Sequence, residues 1–235
     1  MVMAAGLLAV AAAWAQSGSN LLYSAEWRLI HAGDVRVKWK PGQGAEMLIE
    51  STGLVSRLHK IRDEYRVAFD ENFCASSAAM KIEEGARRRE TEVRYDGAAR
   101  KATLRERDLV KDAITGTHEV PLPGPCVHDA IGGLMASRKL DIPLGKSATV
   151  PVSDGKRFAD VKIEAQEKER VKTPLGTFDT TRYEVFLLNN VIYPRSGRVY
   201  VWMTNDARKL PVQIRVRLQL LIGTVTLQLV KEEAP

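Results

Sequence analysis

From residue 210 the chain reads LPVQIRVRLQLLI, an alternation that sorts the run into two sides. Leu210, Val212, Ile214, Val216, Leu218, Leu220 and Ile222 fall on one side of an extended chain, and Pro211, Gln213, Arg215, Arg217, Gln219 and Leu221 on the other. A period of two is the signature of a strand with one dry and one wet face. At about 3.3 Å per residue the run would extend roughly 40 Å, well beyond an ordinary strand, so it predicts a strand that curves with its sheet. Gly223 breaks the pattern, and Val225, Leu227 and Leu229 resume it as a final strand before the charged tail.

The same period governs the start. Tyr23, Ala25, Trp27 and Leu29 alternate with Ser24, Glu26 and Arg28, and Val35, Val37 and Trp39 alternate with Arg36 and Lys38. The intervening IHAGD predicts a hairpin turn with Gly33 at positive φ. Pro41 to Gly44 forms the next corner, and further strands are expected over 46–51, 64–69, 78–83, 90–95, 102–107, 148–152, 156–172, 178–188 and 198–203. Between two of these lies KTPLGTF. Pro174 suits position i+1 of a type I turn, Gly176 the positive-φ position that follows, and the hairpin then aims Tyr183, Val185 and Leu187 at the core. One glycine between strands is not a phosphate cradle, so this corner sets register.

So many strands exceed a single flat sheet. The expected class is all-β, with long antiparallel curved strands forming a barrel or half-barrel. Helix is scarce. VHDAIGGLMASRKL predicts one short helix near 128–139, with Asp129 as cap, Ile131, Leu134 and Met135 as apolar face, and Arg138 and Lys139 near its negative end. Gly132 and Gly133 each cost about 1 kcal/mol relative to alanine there, which implies close backbone packing. A turn near 54–60 is a weaker expectation.

The first fifteen residues, MVMAAGLLAVAAAWA, carry no charge and end in an A-x-A cleavage pattern before Gln16. They read as a secretory signal lacking its basic n-region, so the translation start is expected upstream. A membrane anchor is the alternative, but the run is shorter than the roughly 20 residues that span a bilayer. Residues 16–235 are expected to form a single β-barrel-like domain, since no repeat or composition shift divides them. A chain of this size can bury roughly 70% of its unfolded surface and needs no cofactor to fold. No later run suggests a transmembrane helix, and Glu167 and Glu169 interrupt the apolar face a transmembrane barrel would need.

The 35 basic against 29 acidic side chains leave a net charge of +6. With export expected, nucleic acid is excluded as a partner, leaving anionic lipid, envelope glycan or an envelope protein. The densest run, EEGARRRETEVR, mixes both signs and suits a solvated strand edge or a docking patch around Arg87, Arg88 and Arg89. Cys74 and Cys126 permit one disulfide in an oxidising compartment, with two buried thiols as the alternative.

Signatures of chemistry are sparse. His31, His59, His118 and His128 have no metal-ligand spacing, and C-x-x-C, G-x-S-x-G, phosphate-loop and dinucleotide motifs are missing. Cys126 beside His128 and Asp129 is better explained by a disulfide followed by a helix cap than by an activated thiol. No catalytic, cofactor or metal residues are therefore assigned. Trp27, Trp39, Tyr183, Tyr200 and Trp202 lie in predicted strands, where they could line one ligand cavity or simply fill the core.

Taken in order, YSAEWRLIHAGDVRV, VHDAIGGLMASRKLDIPLGK, KTPLGTFDT, GRVYVWMTNDARKLPVQI and IGTVTLQL resemble an exported bacterial domain-of-unknown-function family typified by K-T-P-x-G-T-F, W-x-T-D-D and L-P-V segments. The matching positions are Lys172, Thr173, Pro174, Gly176, Thr177, Phe178, Trp202, Thr204, Asp206, Leu210, Pro211 and Val212. Asn205 stands where aspartate is commoner, and the cysteines are not in the general pattern. The resemblance implies an exported, mainly β domain with no catalytic or ligand residues to carry over. The expected role is a periplasmic or secreted non-catalytic module that binds an apolar or amphipathic ligand or serves envelope assembly. A structural domain docking an envelope partner through a basic face is the alternative, and a hydrolase with dispersed residues the third reading.

Overall fold

The structure is a computed structural model that describes residues 18–219 and 223–234. The leader therefore lies outside the described residues, as do Leu220 and Ile222 of the long run.

Among the described residues fourteen strands form one antiparallel sheet. They are β1 (Ser19–Trp27), β2 (Ile30–Lys40), β3 (Gly44–Ser51), β4 (Ile61–Phe69), β5 (Ala75–Glu84), β6 (Arg87–Asp96), β7 (Lys101–Asp108), β8 (Ala113–Pro121), β9 (Ser147–Ser153), β10 (Phe158–Thr173), β11 (Gly176–Val185), β12 (Gly197–Thr204), β13 (Pro211–Leu218) and β14 (Thr224–Glu233). Two short helices accompany them among the described residues, α1 (Gly53–Leu58) and α2 (Ala130–Ser137). The strand order β8-β7-β6-β5-β4-β3-β2-β1-β14-β13-β12-β11-β10-β9 joins two meanders through the first and last strands. Both free edges, β8 and β9, consequently come from the middle of the chain. The sheet is barrel-like but not closed.

Register assigns the faces. Trp39, Ala45, Val67, Ala78, Val93 and Leu104 stand opposite one another across β2 to β7 and are all buried. One residue along, the opposite face reads Lys38, Glu46, Arg66, Ala79, Glu92 and Arg105. Ion pairs such as Arg36 with Glu50 at 2.6 Å and Arg88 with Glu83 at 2.9 Å cover that outer surface. Exposed pairs of this kind add about 1 kcal/mol or less each, so their main effect is a water-facing exterior around an apolar interior.

The segment between β8 and β9 ties the free edge of β9 to the start of β5, an interior strand of the first meander. Ala75 N donates to Val127 O at 2.9 Å, His128 N to Pro151 O at 2.9 Å, and Ser153 N to His128 O at 2.9 Å. Residues 126–128 are thus stitched to the start of β5 on one side and to β9 on the other. Cys74 and Cys126 are bonded as a disulfide at the same place, with their Cα atoms 4.9 Å apart. The β9–β10 turn makes a second seam. A Cβ on Gly155 would lie 2.7 Å from Val93 Cγ1, and φ there is +84°. Tyr95 donates its hydroxyl to Ser153 O at 2.9 Å, and Lys156 meets the Glu106 carboxylate at 2.7 Å beside Arg89 at 3.2 Å.

Helix α2 starts at this seam and fills the interior. Asp129 is its cap, accepting from Ile131 N at 2.9 Å, Gly132 N at 2.8 Å and the Tyr65 hydroxyl at 2.8 Å. Burial raises the Asp129 pKa, and these donors only partly offset that effect. The two glycines have the packing reason expected of them. A Cβ on Gly132 would lie 2.8 Å from Phe73 O, and one on Gly133 3.0 Å from Val152 Cγ2.

Several expectations need correction. The first hairpin turns at Arg28 and Leu29, with φ of 51° and 67°, not at Gly33. Both positive values make it a two-residue type I′ turn closed by Trp27 and Ile30. Gly33 instead lies in β2, beside the register shift between Ala25 and Glu26, where a Cβ would sit 2.1 Å from Glu50 O. Glycine is required there for close backbone approach. Strand β8 was not anticipated, because it is almost wholly exposed, is interrupted by Gly116 and shows no alternation. The 54–60 turn is the six-residue helix α1 followed by two connecting residues.

Two tests address the seam. Replacing Cys74 and Cys126 with serine is expected to lower unfolding stability by about 2–4 kcal/mol, read as a shifted urea midpoint that reductant reproduces in the parent protein. The second concerns Glu106, where burial opposes ionisation but Lys156, Arg89 and His118 hold the carboxyl below its usual range. A depressed folded pKa contributes stability above the unfolded value and loses it as pH falls through the folded one. Between about pH 5 and about pH 3, Glu106→Gln should therefore lose stability less steeply than the parent, as measured by urea melts across that range.

Candidate functional site

Beneath α2 the inner face of the second meander leaves space. A cavity of about 140 Å³ is lined by Gly133, Leu134 and Ser137 of the helix and by aliphatic side chains of β9 to β13, among them Val161, Ile163, Val185, Val201 and Ile214. Gly133 and the β-branched wall explain why it exists. The missing Cβ brings the helix close to Val152, while short valines on the strands leave the neighbouring volume unfilled. An aliphatic cavity of this order has room for an apolar group roughly the size of benzene.

The wall continues as an unbroken cross-strand row. Ile163, Val185, Val199, Val216, Val225, Trp27 and Ile30 are successive register partners across seven strands, β10 through β14 to β1 and β2. Ile163 is buried at the cavity, Val216, Val225 and Trp27 are half-buried, and Ile30 is 48% exposed. A strip of apolar surface thus runs from the cavity to the β1–β2 turn.

The motif residues lie elsewhere: one group braces the β10–β11 corner, and the other builds the turn that holds the end of α2. β10 runs for sixteen residues, and the corner at Pro174 carries its tip over to β14, where Leu175 N donates to Leu229 O at 3.2 Å. Thr173 and Gly176 close the corner as a register pair. Val171 of this arm packs with Trp202, Tyr200 and Leu229, with Phe178 against them, and Trp202 Nε1 donates to Glu169 Oε1 at 2.6 Å. Glu167, 2.7 Å from Arg182, and Glu169 are thus engaged on the outer face.

The β12–β13 turn supplies the clamp on α2. Thr204 Oγ1 donates to Asp206 Oδ1 at 2.6 Å and accepts from Leu210 N at 2.9 Å. Burial opposes ionisation of Asp206, but the Thr204 hydroxyl and Arg208 outweigh it and hold the carboxyl below its usual range. Asn205 Oδ1 accepts from Thr181 Oγ1 at 2.7 Å, a bond an aspartate oxygen would also accept. The Arg208 carbonyl receives Arg138 Nη2 at 2.6 Å, and that guanidinium stacks 5.0 Å over the Trp39 ring. Burial depresses the Arg138 pKa. Tyr23 donates to the Pro211 carbonyl at 2.8 Å.

The remaining candidates separate. The aromatics do not share one cavity: Trp39 belongs to the first meander's core, Tyr183 to the second's, and Tyr200 and Trp202 to the cluster under the β10–β11 arm. Arg87, Arg88 and Arg89 each meet a carboxylate, on Glu84, Glu83 and Glu106. His128 bonds to Phe73 O at 2.6 Å beside the seam. Among the described residues no three His, Cys, Asp or Glu side chains group into a metal site. A wider basin of about 760 Å³ lies open on the outer face, with Lys38, Lys40, Arg66 and Arg94 around small residues such as Ala68 and Ala79. The aliphatic cavity escaped sequence reading because its lining residues look like ordinary core positions, and only the helix glycines signalled unusual packing.

Comparison with known proteins places this geometry. The profile of a family described as "Protein of unknown function (DUF3108)" matches residues 22–230. Among solved structures, a β-barrel-like protein of domain of unknown function DUF1849 from Brucella abortus aligns over 94% of this chain and 98% of its own, with a TM-score of 0.56 at 8% identity. A DUF1089 family protein from Pseudomonas aeruginosa aligns over 79% of this chain and 90% of its own, with a TM-score of 0.36 at 12% identity. No curated protein matches the sequence. The first structural likeness carries the fold and nothing finer.

The clamp predicts that Asp206→Ala lowers stability by about 1–2 kcal/mol, measured by urea melts, with the far-ultraviolet strand signal unchanged.

Proposed function

The chain belongs to the DUF3108 family of proteins of unknown function, and we propose that it is a non-catalytic binding module that takes the apolar portion of an amphipathic envelope ligand. The observation that carries this reading is the aliphatic cavity under α2 together with the apolar row leading out of it. A protein that merely folds has no need of an apolar row that starts buried at the cavity and ends exposed at Ile30. The cavity admits a slender aliphatic or small ring segment, while the polar remainder of the ligand stays toward the mouth.

A periplasmic or secreted location fits the same reading. The uncharged leader expected at residues 1–15 and the Cys74–Cys126 disulfide both suit an oxidising compartment. The charged exterior supports a protein that works in water and shields its ligand from it.

Native mass spectrometry of gently purified protein is expected to find a bound amphiphile, and cis-parinaric acid should bind the emptied protein. Val201→Trp, which fills the cavity, and Val185→Phe, which narrows its wall, should each weaken that binding by about tenfold or more, a methyl-scale apolar contact being worth about 1 kcal/mol. A parent protein that is reproducibly empty and ignores the probe would sink the reading.

A further inference from the structure

In an antiparallel meander alternate connections fall at the same end of the sheet. Six large apolar side chains are exposed on the β1–β2, β3–β4 and β7–β8 connections or at their strand ends, all at one end. They are Leu29 at 97%, Leu58 at 77%, Val110 at 65%, Leu54 at 57%, Ile30 at 48% and Ile114 at 45%. Helix α1, which carries Leu54 and Leu58, has no buried residue. It stands beside the start of β2, because Thr52 N donates to Ala32 O at 2.9 Å. Tip residues so exposed cost solubility unless something apolar receives them.

Basic side chains neighbour most of these tips. Arg28 precedes Leu29, Arg57 and Lys60 flank Leu58, and Lys111 follows Val110. Three of the nearby acids are already engaged: Asp108 caps the Val110 and Lys111 amides, Asp112 is paired with Arg107, and Glu50 with Arg36 and Arg62. Apolar tips inside a basic collar match the two layers of an anionic bilayer, acyl chains below and phosphate above. The row that begins at Ile30 leads from this end to the cavity, so a chain leaving the bilayer would meet apolar surface throughout.

We propose that this end of the sheet docks on an anionic phospholipid bilayer, inserting Leu29, Ile30, Leu54 and Leu58 while the basic collar meets the headgroups. The tips carry the docking itself, and only the path inward rests on the cavity reading above. The type I′ turn supports insertion, because it projects Leu29 beyond the paired ends of β1 and β2.

The test is co-sedimentation of the purified chain with vesicles of phosphatidylcholine alone and of phosphatidylcholine with one third phosphatidylglycerol. Partitioning into the anionic vesicles is expected to exceed that into the neutral ones by about tenfold at low salt, with the excess lost near molar salt. The double variant Leu29→Asp and Leu58→Asp should lose about tenfold or more of that binding while keeping the parent's unfolding midpoint. Val201→Trp should bind vesicles like the parent even as it loses the apolar probe, so failure of the cavity reading is distinguishable from failure of docking. Equal, weak binding to both vesicles, or parent-like binding by the double variant, would overturn the proposal. A partner protein in place of a bilayer predicts the first of these two results.

Discussion

Everything in this fold depends on how an open sheet disposes of its two edges. With β8 and β9 both drawn from mid-chain, the segment between them is the natural closure, and residues 126–128 bond to β5 and β9 at once. The disulfide fixes that segment to the strand it borders. Unsatisfied edge groups are a standing invitation to aggregation, and one short bridge with a helix behind it removes part of that hazard without full barrel closure. The Glu106 and Lys156 pairing and the inserted Gly155 extend the same seam.

Placement of α2 follows from the seam. Its cap, Asp129, is the residue after the bridge, so the helix begins where the β9 edge is tied to β5 and runs into the interior. Its far end is held by Arg138, which joins the Trp39 ring to the β12–β13 turn. The family segments that look most like a signature therefore build a clamp, and the space they guard is lined by residues with no signature. A tightly packed interior would have left no such space. The valine-rich wall opposite a helix with two adjacent glycines is what leaves it.

The β character, the curvature and the single interior helix were legible because burial on one face writes itself as alternation. Tyr23, Val35 and Trp39 or Val199 and Val201 can be placed by inspection. What resisted reading was information that resides in pairs of distant residues. Gly33 signals proximity to Glu50, not a turn, and only the partner strand reveals it. Arg28 and Leu29 form a turn with no glycine or asparagine, because the closing Trp27 and Ile30 pair and the shift at Ala25 dictate it. β8 has little burial and so no period. The cavity is likewise a property of side chains from six elements that no linear pattern brings together.

Pairing of β1 with β14 has a consequence for how the molecule is made. Asn20 stands opposite Glu233, so the middle of the sheet joins nearly the whole length of the polypeptide. Each meander can grow from local hairpins, but the two halves unite only when the last ten-residue strand is available. Loop-closure entropy over about 200 residues weighs on that final step, as it does in other folds of high contact order. A chain with this topology has its assembly gated by β14: until that strand arrives, two half-sheets with unpaired central edges wait side by side.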